Sequence, residues 1–186
     1  MALFLLCYDC FMLKSKKEIY LIRHAEKDPK EILTDKGRQD AINLSAKLPS
    51  FQKVVSSESS RTQETAKLVT GNNPKIDSRA GFYMASPEKS KKLNNIAKVK
   101  GIPFLEAVLI FDDQEVLQGV EDKATVLNNL IDQLLNDMSE GSKSIIVSHD
   151  LSISPAMKQR GIALESIDFL NGYIIDGDGE ISTFRP

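Results

Sequence analysis

The amino-acid sequence predicts an α/β protein, a three-layer α/β/α sandwich with a mostly parallel central sheet. Short runs rich in β-branched residues alternate with stretches whose apolar residues recur at helical spacing along most of the 186 residues, and this alternation is typical of βαβ units. The composition, 41% hydrophobic and 27% charged, is that of a globular protein. We expect a single domain over residues 14–186, long enough to bury a core.

The first half of the chain is predicted to form three strands separated by two helices. Thr34 is a good N-cap for the first helix, and Pro49 stops it. Gly71 suits the end of the second helix. In chain order the predicted elements are strand 16–24, helix 33–50, strand 51–57, helix 59–73 and a short strand at 74–79.

The second half is predicted to contain three helices, one strand and a closing hairpin. Pro87 suits the first position of a helix. Residues 102–111 are apolar throughout, and their periodicity fits a strand or a buried helix equally well. In chain order the predicted elements are helix 86–101, the undecided segment 102–111, helix 119–140, strand 143–150, helix 151–161 and a hairpin over 166–184 that turns at 176–179.

The charge balance argues against a nucleic-acid partner. The formal net charge is -2, so the protein has no global basic field. An anionic ligand would have to be held by a local cluster of cations.

The first thirteen residues form an apolar extension with no clear role. They are too short to span a bilayer, which takes about 20 residues, and they lack a basic start and a cleavage site for export. We expect no stable membrane insertion and a cytoplasmic protein; an export signal that directs the protein to the periplasm, or translation from Met12, are the alternatives. Cys7 and Cys10 form a CxxC pair without a second ligand pair or a redox setting, so we expect neither zinc nor redox chemistry there.

The two histidines of the protein occupy equivalent places in the sequence. His24 ends the apolar run EIYLIRH, and His149 ends SIIVSH. In parallel sheets the carboxyl ends of the strands form one edge, where ligands bind. If the two strands are neighbours, about 4.8 Å apart, the two imidazoles converge.

Two arginines are predicted at the same edge of the sheet and favour an anionic ligand. Arg23 precedes the first histidine, and Arg61 lies at a helix N-terminus just after a strand; arginine forks and helix amides both suit a phosphate group. Glu26 and Asp150 could complete a metal site with the histidines, but the arginines would repel a cation, so we expect no metal and no other cofactor. No nucleophile elbow of the Ser-His-Asp type is present.

Four sequence blocks resemble the signatures of the histidine phosphatase superfamily, the group of phosphoglycerate mutases and acid phosphatases. They occur in the right order and spacing between residues 18 and 150. The similar blocks are LIRHAEKD (21–28), LTDKGRQDA (33–41), VVSSESSRTQETA (54–66) and IIVSHD (145–150). Ala25 stands where the superfamily usually has glycine.

The resemblance implies a metal-independent phosphatase with a phosphohistidine intermediate. His24 would attack the phosphoryl group, while Arg23, Arg61 and His149 would bind its oxygens. Glu26 and Lys27, which follow the nucleophile, would contact the substrate. The substrate would be a small phosphomonoester or a phosphohistidine protein, and the region 82–118 would select it.

The proton donor and the exact activity stay open. Mutase-like members carry a glutamate in the region that corresponds to residues 78–85, which contain no acid here. Acid-phosphatase-like members place an aspartate after the second histidine, so Asp150 is the first candidate, with Glu106 and Glu115 behind it; Asp150 could also be the N-cap of the helix that follows. A phosphoglycerate mutase-like phosphomutase and a non-catalytic phosphate-binding pseudo-phosphatase are the alternative functions.

Overall fold

A computed structural model describes residues 16–186, which form a six-stranded sheet covered by helices on both faces. The strands are β1 Glu18–Arg23, β2 Lys53–Ser56, β3 Lys75–Ile76, β4 Lys143–Ser148, β5 Gly172–Asp176 and β6 Ile181–Phe184. The sheet order is β3-β2-β4-β1-β5-β6. Strands β1 to β4 pair in parallel, whereas β5 runs antiparallel to β1 and pairs with β6 as a hairpin. The predicted three-layer fold with a mostly parallel sheet is confirmed.

Six α-helices accompany the sheet within residues 16–186: α1 Asp35–Ser45, α2 Ser60–Thr70, α3 Pro87–Lys100, α4 Phe104–Phe111, α5 Gln114–Asp137 and α6 Asp150–Gln159. Thr34 caps α1 as predicted, by accepting a hydrogen bond from the Gly37 amide, 2.9 Å away. This helix ends at Ser45, four residues before Pro49, so the prediction that Pro49 stops it is wrong. Gly71 ends α2 as predicted, in the left-handed conformation with φ 73°.

Alternating side chains of the strands form one core on each face of the sheet. Ile19 and Leu21 of β1 pack with α5 and α6, whereas Tyr20 and Ile22 pack with α1 and α2. A strand places successive side chains on opposite faces, which is why the buried strands are apolar on both faces. A third apolar cluster joins α3, α4 and the start of α5.

In the second half of the chain, the structure decides one segment that the sequence left open and moves the start of one predicted helix. The undecided segment 102–111 is the helix α4, which buries Leu105 and Val108 against the third cluster. Helix α5 begins at Gln114, five residues before the predicted start, because Asp113 caps it by accepting from the Val116 amide at 3.2 Å.

None of the helices in the described range, residues 16–186, combines the length and apolar character that a membrane span requires. The CxxC pair and the apolar extension 1–13 lie outside the described residues.

Candidate active site

The two histidines meet at the carboxyl edge of the sheet. β1 and β4 are neighbours, with Arg23 opposite Ser148, so the next residues, His24 and His149, leave the sheet side by side. Their ring centroids lie 5.3 Å apart. Both side chains are buried, at 3% and 4% exposure. The predicted convergence of the imidazoles is therefore present in the structure.

Arg61, at the start of α2, joins the two rings. Its Nε lies 3.2 Å from Nε2 of His24, and its Nη2 lies 3.2 Å from Nδ1 of His149. Its third nitrogen, Nη1, forms an ion pair with Glu31. A guanidinium is a rigid, planar donor, so Arg61 fixes the relative positions of both imidazoles and of the carboxylate.

The partners of each ring determine where its proton lies. Nδ1 of His24 is 2.8 Å from the Ala25 carbonyl, so it carries the proton, and Nε2 keeps a lone pair that accepts from Arg61. Nδ1 of His149 accepts from Arg61, so its Nε2 donates to the Ser57 hydroxyl, 2.9 Å away. His24 therefore presents an unprotonated nitrogen to the pocket.

Burial keeps both imidazoles neutral. Loss of solvent is the main cause that lowers the pKa of His24 to about 3 and that of His149 to about 2, and the Arg61 charge lowers both further. Burial also lowers the pKa of the Arg61 guanidinium, while Glu31 opposes that shift; at neutral pH the arginine stays charged. The pocket thus combines a neutral nucleophile with a fixed positive charge.

A second set of hydroxyl groups holds the pocket residues in place. The Thr65 hydroxyl donates to the Arg61 carbonyl at 2.7 Å and accepts from the Ala25 amide at 3.0 Å, which ties α2 to the segment after β1. Ser57, which accepts from His149, is 2.7 Å from the Thr62 hydroxyl. Ala25 itself is fully buried, so a methyl group is accommodated where the superfamily usually has glycine.

Arg23 lies next to the pocket but directs its guanidinium toward the segment before β5. Its Nη1 donates to the Ile167 carbonyl and lies 3.9 Å from the Asp150 carboxylate. The guanidinium carbon, Cζ, lies 4.2 Å from the centre of the Phe169 ring. Its Nε is buried and has no partner within residues 16–186. Burial lowers the pKa of this arginine, and Asp150 opposes the shift.

The Asp150 carboxylate is held on all sides by donors. One oxygen accepts from the Ser154 hydroxyl at 3.0 Å and the Ile167 amide at 2.9 Å, and the other accepts from the Ser166 hydroxyl at 2.8 Å. The alternative role of Asp150, as the N-cap of the next helix, is wrong. The helix begins at Asp150 itself with His149 as its N-cap, and the carboxylate is used to fix the segment that leads to β5.

The other predicted contact residues lie at the rim of the pocket or farther away. Glu26 pairs with Lys36 at 3.2 Å, and Lys27 pairs with Glu31 at 2.5 Å. Glu115 pairs with Lys89 in the α3–α5 region, and Glu106 is exposed on α4. Within the described residues, neither Glu106 nor Glu115 forms an ion pair or hydrogen bond with a histidine or arginine of the pocket.

Phe82 and Phe169 flank the histidines, and neither was predicted from the sequence. The Phe82 ring lies 4.6 Å from the His149 ring, and the Phe169 ring lies 5.7 Å from the His24 ring. Phe82 follows β3, in the region where mutase-like members carry their glutamate. The same ring lines an apolar cavity of about 80 Å³ between α3, α4 and α5. One wall of the pocket is therefore apolar.

No group of three or more histidine, cysteine, aspartate or glutamate side chains within residues 16–186 is arranged to hold a metal ion. The assembled groups are instead an unprotonated imidazole nitrogen, a second imidazole and two arginines at the carboxyl edge of a parallel sheet. This set suits the transfer of an anionic group such as phosphoryl to a histidine.

Part of the sequence matches a known protein family. The sequence model of the histidine phosphatase superfamily (branch 1) matches residues 19–82. That range contains His24 and Arg61. A search of curated protein sequences gave no significant match.

Solved structures of phosphatases and mutases share the fold. Phosphoglycerate mutase from Bacillus anthracis strain Sterne matches with a TM-score of 0.60 at 19% identity, over 91% of this chain and 92% of that chain. YhfR from Bacillus stearothermophilus matches at 0.63 and 22%, over 90% and 95%. Phosphoserine phosphatase from Entamoeba histolytica, solved with 3-phosphoglyceric acid, matches at 0.64 and 17%, over 91% and 98%.

Residues 19–82 thus carry the sequence signature of the histidine phosphatase superfamily, and the described chain has the fold of its members.

Proposed function

We propose that this protein is a metal-independent phosphatase that hydrolyses a small phosphomonoester or a phosphohistidine through a phosphohistidine intermediate on His24. The observation that carries the proposal is the state of His24: it is buried, its pKa is lowered to about 3, and its unprotonated Nε2 faces the Arg61 guanidinium 3.2 Å away. A neutral imidazole beside a fixed cation is suited to attack a phosphoryl group whose negative charge the cation stabilises.

The reaction proceeds in two displacement steps. In the first, the lone pair of His24 Nε2 forms the P–N bond, the bond from phosphorus to the leaving group breaks, and the leaving group takes the electron pair and a proton. In the second, water attacks phosphorus, the P–N electron pair returns to Nε2, and inorganic phosphate leaves. Each step passes through a charge-rich transition state that donors around the pocket stabilise.

Arg61 has two successive partners in this scheme. Its Nε donates to the nucleophilic nitrogen of His24, which holds the ring in position for attack. When a phosphoryl group is bound, its oxygens are stronger acceptors than an imidazole nitrogen, because they are charged. Arg61 then donates to those oxygens, which frees the Nε2 lone pair of His24 and leaves Nδ1 of His149 without its donor. A shift of the His149 proton from Nε2 to Nδ1 makes that ring a further donor to the phosphoryl oxygens. Arg23 and Lys27 add positive charge beside the pocket, where their charges already lower the pKa of both histidines.

The first test is hydrolysis of p-nitrophenyl phosphate in the presence of a chelator. The proposal expects turnover that the chelator leaves unchanged and that His24→Ala reduces by at least about 10³-fold, because the nucleophile is removed. Circular dichroism and thermal melting of the variant show that it is folded. Comparable activity in His24→Ala would overturn the assignment of the nucleophile.

The same preparation separates the proposal from its two alternatives. A phosphomutase would move a phosphoryl group between the positions of a phosphoglycerate faster than it releases inorganic phosphate. A non-catalytic phosphate-binding protein would bind vanadate or inorganic phosphate but turn over none of a broad panel of phosphoesters. Release of phosphate as the main product favours the phosphatase.

A further inference from the structure

Glu31 contacts Arg61 of the pocket, although no sequence motif predicts it there. It lies in the loop between β1 and α1, in a tight turn where the Asp28 carboxylate accepts from the amides of Lys30 and Ile32. The turn puts Glu31 at φ 69°, a left-handed conformation that non-glycine residues seldom adopt. This turn brings the side chain back toward Arg61 and Lys27.

Both oxygens of the Glu31 carboxylate bind pocket cations. Oε2 pairs with Nη1 of Arg61, and Oε1 lies 2.5 Å from the Lys27 ammonium. The other two nitrogens of the same guanidinium reach His24 and His149. Because the guanidinium is a small rigid plane, Glu31 lies next to the place where a phosphoryl group on His24 would bind.

Glu31 and Asp150 differ in their freedom to exchange a proton with a substrate. The Glu31 side chain is 51% exposed, and within residues 16–186 its carboxylate is held only by the Arg61 guanidinium and the Lys27 ammonium. The Asp150 side chain is 11% exposed, and hydroxyl and amide donors of the protein occupy both of its oxygens. A general acid must reach the leaving-group oxygen, and Glu31 meets that requirement more directly.

We propose that Glu31 is the catalytic proton donor and acceptor of the phosphatase, and that Asp150 is a positioning residue for Arg23 and the Ser166–Ile167 segment. This inference rests on the proposed function of the same pocket. In this scheme the substrate binds while Glu31 carries a solvent-derived proton on Oε2, so that this oxygen donates instead of pairing with Nη1 of Arg61, and Lys27 stays beside Oε1.

The proton then moves through the two steps as follows. As the bond from phosphorus to the leaving oxygen breaks, the leaving oxygen takes the electron pair and accepts the proton of Glu31, which becomes a carboxylate. In the second step the carboxylate accepts a proton from the attacking water, whose oxygen bonds to phosphorus while the P–N pair returns to His24. Ester and water are consumed, and alcohol and phosphate are produced.

The test compares Glu31→Gln with Asp150→Asn on a series of phosphoesters whose leaving groups range from 2,4-dinitrophenolate, which needs no proton, to phenolate and a simple alkoxide. Glu64→Gln is the matched control. Glu64 also pairs with an arginine, Arg38, at 2.6 Å, but lies on the outer part of α2. The Glu64→Gln variant should have the activity of the wild type on every substrate.

We expect the hydrolysis rate of Glu31→Gln to fall by about 10² to 10⁴-fold on the alkyl and phenyl esters and to stay close to that of the wild type on the dinitrophenyl ester. Asp150→Asn should lower the rate on all esters by a similar factor and weaken phosphate binding, because it displaces Arg23. Equal rates for Glu31→Gln and wild type on the alkyl ester, or a leaving-group dependence that appears in Asp150→Asn instead, would overturn the inference.

Two further outcomes are distinguishable. If Glu31 only competes with phosphate for Arg61, Glu31→Gln will bind phosphate more tightly without any leaving-group dependence, and the inference fails. If His24→Ala hydrolyses the dinitrophenyl ester as the wild type does, the proposed function itself fails, whatever the result for Glu31.

Discussion

At the scale of single residues, Arg61 decides the protonation of both histidines. A guanidinium only donates hydrogen bonds, so the nitrogens it contacts, Nε2 of His24 and Nδ1 of His149, must be acceptors. The proton of His24 is therefore on Nδ1, which donates to the Ala25 carbonyl, and that of His149 is on Nε2, which donates to the Ser57 hydroxyl. The nucleophilic character proposed for His24 therefore depends on a residue 37 positions away in the chain.

Two buried serines should respond differently to removal of the hydroxyl group. Ser57→Ala should lower the free energy of unfolding by about 1–3 kcal/mol, because the buried N–H of His149 loses its acceptor. Ser144 is equally buried, but its hydroxyl has no partner within residues 16–186. Ser144→Ala should therefore change stability by less than about 0.5 kcal/mol. Urea unfolding measures both, and equal losses would contradict the assigned hydrogen bonds.

At the scale of elements, α1 is packed against the segment that follows the nucleophile. Gly37 lies in the first turn of α1, and a Cβ there would stand 2.3 Å from the Glu26 carbonyl oxygen. This close approach of two backbone segments explains the glycine of the LTDKGRQDA block. It also connects the position of the helix to the position of His24, two residues before Glu26.

Gly37→Ala should destabilise the protein by about 1–3 kcal/mol, because backbone atoms must move to admit the methyl group. Gly177→Ala is the matched control: its Cβ would meet the Lys17 side chain at an ordinary 3.5 Å. Thermal unfolding of both variants checks the prediction. An unchanged melting temperature for Gly37→Ala would show that α1 is not held this closely.

The same elements show what the sequence could predict. The strands that carry His24 and His149 and the helix that carries Arg61 were predicted, because turn residues and caps mark their ends. Helix α4 stayed undecided, because a short run that is apolar throughout has no periodicity. Glu31 was missed because its contact depends on how the turn at Asp28 folds back, and the partners of Asp150 were missed because they come from a segment 16 and 17 residues further along.

At the scale of the whole molecule, burial of two neutral histidines makes stability depend on pH. The folded pKa values, about 3 and about 2, lie below the value of about 6.5 in the unfolded chain. Below pH 6.5 the unfolded chain therefore binds more protons than the folded protein. The stability that the two neutral histidines contribute is fully present above that pH and is lost as the pH falls. Between pH 7 and pH 5, each histidine should lower the free energy of unfolding by about 2 kcal/mol.

Urea unfolding at pH 7 and pH 5 checks this prediction in the wild type and in His149→Gln. The substitution removes one of the two groups, so the loss of stability on acidification should shrink by about half. Carboxylates titrate alike in both proteins, and the difference between them cancels their contribution. An identical pH dependence in the two proteins would mean that His149 is not buried in its neutral form.

The central claim for the whole molecule is that His24 carries the phosphoryl group during turnover. Rapid mixing with a labelled phosphoester, followed by quenching in alkali, should trap a phosphoenzyme that is stable in base and labile in acid, as a phosphoramidate is. Mass spectrometry should locate the phosphate on His24, and His24→Ala should form none. Phosphate found on His149 or on a carboxylate, or steady turnover by His24→Ala, would contradict the account.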